Sequence, residues 1–132
     1  MFSLTNLSIP VIQAPMAGGI TTPVLVSEVS NAGGLGSFGF AYSSLEIIGR
    51  DLRLAQSLTQ GPINANFFLF QETALPDSKT IQLAIESLRE IAPDIDFDIP
   101  ASPFYPDLEM QLEPIWQLRP SVLSFHFGIP SD

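Results

Sequence analysis

His126 is the one histidine of this 132-residue chain, and it stands among apolar residues in Val122-Leu-Ser-Phe-His-Phe-Gly-Ile-Pro130. An imidazole at the end of a strand can orient an anion or move a proton near neutral pH. The competing reading is a core histidine satisfied among phenylalanines. Asn66 lies in a second apolar stretch, Ile63-Asn-Ala-Asn-Phe-Phe-Leu-Phe70. A buried amide must be hydrogen-bonded, and it offers both donor and acceptor, which suits the edge of a pyrimidine-type ring. A strand asparagine satisfied by the backbone is the alternative. The third candidate is Ala14-Pro15-Met16-Ala17, followed by Gly18-Gly19. Small residues there let a flat ring approach the backbone, and methionine is a soft border for it. An ordinary loop after a strand has the same composition.

Other chemistries are excluded by what the chain lacks. It contains no cysteine, which removes disulfides, thiolate metal sites and cysteine nucleophiles, and one histidine cannot build a histidine zinc cluster. The formal net charge is −9, and the arginines are scattered at Arg50, Arg53, Arg89 and Arg119, so no nucleic-acid partner is expected. No stretch is long and apolar enough to span a bilayer, and Met1–Pro10 does not read as a signal peptide, so cytoplasm is the expected compartment. Gly34-Leu-Gly36-Ser-Phe-Gly39 matches a dinucleotide-binding pattern, but its glycines follow a helix and enter a strand. That reverses the geometry a pyrophosphate needs, leaving a helix stop and close backbone packing. Asp94, Asp96 and Asp98 alternate as in a calcium loop without its glycine or terminal glutamate, and read as a solvated loop.

These residues must be positioned by alternating strands and helices. Ile9–Ala14 reads as a first strand. Thr22 and Pro23 start a helix with Leu25, Val29 and Ala32 on its buried face, stopped at Gly33. Leu35–Phe40 is the second strand. Ser43 or Ser44 caps a helix whose apolar side is Leu45, Ile48, Leu52 and Ala55, and Ile63–Phe70 is the third strand. Asp77 or Ser78 opens a helix carrying Ile81, Ile85, Leu88 and Ala92, stopped by Pro93. After a loop from Asp94 to Pro106, a helix over Leu108–Leu118, which Pro114 is expected to distort, leads to a fourth strand at Val122–Phe127. Such alternation predicts parallel β-α-β units in one α/β domain. Periodicity leaves two architectures, a four-stranded doubly wound sheet and half of a (β/α)8 barrel.

Four ordered motifs resemble the nitronate monooxygenase (2-nitropropane dioxygenase) family. They are Pro10-Val-Ile-Gln-Ala-Pro-Met-Ala-Gly-Gly19, Thr22-Pro23 with Val29-Ser-Asn-Ala-Gly-Gly-Leu-Gly36, the strand asparagine Asn66, and Ser124-Phe-His-Phe-Gly128. The resemblance covers essentially the whole chain and is shared in part with flavin-dependent enoyl reductases. It implies a partial (β/α)8 TIM barrel, about the first four β-α units, as the N-terminal portion of a single FMN-binding domain over residues 1–132. FMN would lie across the C-terminal strand ends, bordered by Ala14, Pro15, Met16 and Ala17 and hydrogen-bonded by Asn66, with His126 lining the substrate pocket.

The implied reaction takes an alkyl nitronate and O2 to a carbonyl compound and nitrite, beginning with one electron passed to FMN. The family's catalytic histidine sits in a Glu-Ala-Gly-Gly-His motif that these residues do not contain. Phosphate loops of such barrels follow the seventh and eighth strands, and a complete barrel takes about 250 residues. The expectation is therefore a truncated chain with little or no turnover of its own. The non-enzymatic alternative is a half-barrel subunit or remnant, completed by self-association or by a complementing C-terminal half.

Overall fold

Thr22 and Pro23 open the first helix as expected: α1 runs Pro23–Asn31, and the Thr22 hydroxyl accepts from the Leu25 amide at 3.2 Å. β1 follows at Gly36–Gly39, α2 at Leu45–Leu58 and β2 at Ile63–Phe68. α3 spans Ser78–Ile91, α4 Leu108–Leu118 and β3 Val122–His126. The computed structural model describes residues 2–71, 74–99 and 102–130. The chain divides into two compact units, Met1–Phe70 with Tyr105–Asp132, and Gln71–Phe104. No helix among the described residues is long and apolar enough to cross a membrane.

The first unit is built on a parallel sheet ordered β1-β2-β3. Successive strand residues point to opposite faces. Phe38, Phe40, Ile63, Ala65 and Phe67 take one face and pack against Val26 of α1, Ile48, Leu52 and Ala55 of α2, and Ile115 of α4. Ser37, Asn64, Asn66 and Ser124 take the other and bond to one another. Helices on one face of a parallel sheet make the wall of a barrel, whereas a doubly wound sheet carries them on both. The architecture is thus a partial (β/α)8 wall. Pro114 is buried within α4, and the helix runs through it to Leu118.

Three local expectations change. The strand foreseen at Ile9–Ala14 is reduced to one isolated parallel bridge, Ile12 to Leu35. Beyond it the Gln13 side chain takes over from the backbone: Oε1 accepts from the Ser37 amide at 3.0 Å, and Nε2 donates to the Ser37 carbonyl at 3.0 Å. The buried residues of α1 are Val26, Ser27 and Ser30 rather than Leu25, Val29 and Ala32. A side-chain atom added at Gly36 would overlap the Val26 carbonyl oxygen, so helix and strand touch backbone to backbone and only small residues fit nearby. Ser30 is tolerated because its one hydroxyl hydrogen is shared between the Pro62 carbonyl (2.7 Å) and the Val26 carbonyl (3.0 Å), while its oxygen accepts from the Gly36 amide (3.3 Å). In the second unit, α3 buries no residue, so the apolar side foreseen there closes no core; Ile81 and Ile85 share an open groove with Ile99.

Leu52 is fully buried, so Leu52→Ala is expected to cost about 2–5 kcal/mol in urea unfolding. Leu88→Ala, at a site 44% exposed, is expected to stay within about 1 kcal/mol.

Asp77 caps α3 by accepting from the Thr80 amide at 3.0 Å and the Thr80 hydroxyl at 2.9 Å. These bonds hold its carboxyl below the usual carboxylate range. A depressed folded-state value means that the cap contributes fully above the ordinary pKa, about 4, and is lost as pH falls through the folded value. Circular dichroism of Asp77→Ala should therefore show less helix than wild type at neutral pH and match it in strong acid.

Candidate functional site

Met16, Ala17, Asn66 and His126, foreseen in the sequence, lie at the C-terminal end of the sheet. Gly39, the last residue of β1, is in register with Asn66 of β2, which is in register with Ser124 of β3. Two residues further on, Phe68 pairs with His126. The loop after the Ile12 bridge lies on this same end. A side-chain atom added at Gly39 would meet the Ala17 nitrogen and the Met16 carbonyl carbon, each at 2.6 Å. Only glycine lets the loop sit this low. Met16 and Ala17 therefore rest beside Asn66. Ala14 and Pro15 lead into this contact without sharing it; the Ala14 carbonyl accepts from Gln13 Nε2.

Asn66 is 4% exposed and bonded by side chains as well as backbone. Its Nδ2 donates to Ser124 Oγ at 2.9 Å, Ser124 Oγ donates to Asn64 Oδ1 at 3.0 Å, and Asn64 Nδ2 donates to Ser37 Oγ at 3.2 Å. A relay of this kind lets four polar side chains share a buried face without an unsatisfied group, and it sets the direction of the Asn66 amide. Its backbone carbonyl accepts from the Phe40 amide at 2.9 Å, continuing the ladder.

His126 is not enclosed in a core. It is exposed at the end of β3, with its ring 5.8 Å from Phe68 and 5.5 Å from Phe127, both edge-on. Phe127 is itself 64% exposed and has φ of 68°, the left-handed region. Phe68 also meets Tyr42 at 5.8 Å, so an aromatic rim follows the strand ends.

Several positioning residues were missed in the sequence. Gln111 on α4 is buried, and its Nε2 donates to the carbonyls of Ser43 (2.8 Å) and Phe40 (3.1 Å), tying down the turn after β1. Its signal was a polar residue one turn before Ile115 on an apolar helix face. Ser37 and Ser124 carried a weaker one, polar residues on apolar strands, and they supply the partners that the two asparagines of β2 require. Thr21, 6% exposed, contacts the Met16 loop through its hydroxyl. The acidic residues Asp94, Asp96 and Asp98 are exposed, with Arg89 reaching Asp96 at 3.8 Å, as a solvated loop requires.

The sequence matches the family model for nitronate monooxygenase over residues 2–132. The chain belongs to the nitronate monooxygenase family. It is 33% identical to a nitronate monooxygenase of Paraburkholderia phytofirmans, over 99% of this chain and 37% of that protein. It is 31% identical to a probable nitronate monooxygenase of Bacillus subtilis, again over 99% of this chain and 37% of the relative. A solved nitroalkane oxidase of Streptomyces ansochromogenes superposes with a TM-score of 0.80 at 27% identity, covering 97% of this chain and 36% of its own. The chain thus spans little more than a third of the length of these family members.

The relay makes a prediction. Ser124→Ala leaves Asn66 Nδ2 and Asn64 Oδ1 without their shared partner, and is expected to cost about 1–3 kcal/mol by urea denaturation. Ser124→Thr, which keeps the hydroxyl, should recover most of it.

Proposed function

We propose that these residues form the N-terminal, flavin-facing portion of one FMN-binding (β/α)8 domain, in a cytoplasmic enzyme that oxidises alkyl nitronates with O2 to a carbonyl compound and nitrite. The observation that carries this reading is the placement of the Met16–Ala17 backbone beside buried Asn66 at the C-terminal strand ends, the face on which barrel enzymes work. The family match running through both compact units supports treating them as one domain.

The residues fit such a group. Gly18 and Gly19 extend the loop at φ of 86° and 85°, with no atom within 4 Å of where a side chain would begin, which leaves room for a planar ring. FMN, when bound, supplies the electron acceptor. Ala14, Pro15, Met16 and Ala17 border it with small or soft side chains and backbone. Asn66, its Nδ2 committed to Ser124 by one hydrogen, offers the remaining hydrogen and the amide oxygen to the ring edge. His126 lines the substrate pocket, where an exposed imidazole orients an anionic nitronate. It is not assigned the role of catalytic base. The Glu-Ala-Gly-Gly-His motif is absent from these 132 residues, so little turnover is expected of them alone. We place the remainder of the barrel, with the segment that carries that motif, along the β3 edge, which has no second strand neighbour among the described residues.

Flavin titration tests the reading. FMN fluorescence should be quenched to a stoichiometric endpoint, Asn66→Ala should weaken binding about tenfold, and His126→Ala should change it less than about twofold. A wild-type chain that binds no FMN, alone or mixed with a complementing half, would rule the reading out.

A further inference from the structure

We propose that Thr21 is a positioning residue that sets the height of the Met16–Ala17 loop over the strand ends. Its significance for the cofactor rests on the FMN reading above. The Thr21 hydroxyl donates to the Met16 carbonyl at 3.1 Å and accepts from the Gly39 amide at 3.1 Å. A carbonyl can only accept and an amide can only donate, so the bridge has one direction and uses the hydroxyl's single hydrogen. Thr21 is 6% exposed, and water is a poor substitute there. The neighbouring Thr22 does a separate job as the cap of α1. Adjacent threonines thus divide the work: one starts the helix, the other ties the loop to the strand.

The bridge falls where the sheet most needs it. On its other side β1 is satisfied by the β2 backbone. On this side the first segment forms only the Ile12 bridge, Gln13 then serves both backbone groups of Ser37, and Thr21 serves the next outward amide, Gly39. The same Gly39 is the residue on which Met16 and Ala17 rest and the register partner of Asn66. One hydroxyl therefore couples the loop's height to the strand position that holds the asparagine.

Four variants test the proposal, with amide exchange and FMN affinity as readouts. Thr21→Val keeps the shape and removes the bridge. It should raise exchange at Gly39 by about tenfold or more and weaken FMN binding by a similar factor. Thr21→Ser should stay within about threefold of wild type in both. Thr21→Ala replaces the valine variant if that one does not fold. Ser30→Ala is the control: its hydroxyl is as buried, but it bridges the opposite end of the sheet. It should lower the melting temperature and leave FMN affinity within about twofold. Unchanged Gly39 exchange in the valine variant would overturn the proposal. So would a loss of FMN affinity in Ser30→Ala matching that of the valine variant at equal loss of stability, since that marks a merely structural role. A wild-type chain that binds no flavin overturns the cofactor reading instead, and the exchange data then judge the loop clamp by themselves.

Discussion

A strand buried on both faces must still find a hydrogen-bond partner for the amides and carbonyls along both of its edges, and β1 is the place where this requirement shapes the molecule. Along one edge the β2 backbone meets it with a regular parallel ladder. Along the other, backbone pairing ends almost as soon as it begins, and the side chains of Gln13 and Thr21 finish it. An unpaired buried amide costs as much as a lost hydrogen bond or more, so these substitutions are not optional. Their consequence is a first segment that leaves the sheet early and drops its loop directly onto the strand end.

The two faces of the sheet solve different problems. Toward α1, α2 and α4, the strands present Phe38, Phe40, Ile63, Ala65 and Phe67, and burial of apolar area holds the helices in place. Toward the other side they present serine and asparagine. The interiors of such barrels are dominated by bulky branched side chains, so a polar inner face needs a reason. The relay from Asn66 through Ser124 and Asn64 to Ser37 makes that face self-sufficient in hydrogen bonds. It also places an oriented amide beside the lowest point of the Met16 loop.

Much of the local structure was legible because it depends on residues near in sequence. Hydroxyl and carboxylate caps at Thr22, Ser44 and Asp77 mark their helices, and the apolar period of α2 yields Ile48, Leu52 and Ala55 as buried positions. The close packing read from the glycines of Gly34–Gly39 is present at Gly36 and Gly39. Legibility failed where a distant partner decides. The face of α1 turned because Gly36 draws the helix backbone against the strand, which favours Ser27 and Ser30 over larger neighbours. The predicted first strand shrank because a glutamine side chain can imitate a backbone pair, and no periodicity records that.

By itself, the sequence determined the order and type of the helices and later strands, the family to which the chain belongs, and the residue types at the candidate site. Those follow from spacing, caps and motif chemistry, which are local. Only the tertiary structure decided that α1, α2 and α4 cover one face of the sheet, and that His126 stands at an exposed rim rather than in a core. It alone brought Met16, Gly39 and Asn66 to one strand end, with Thr21 tying the first two together. Such placements depend on register between strands more than 20 residues apart, and register is a property of pairing that no single segment carries.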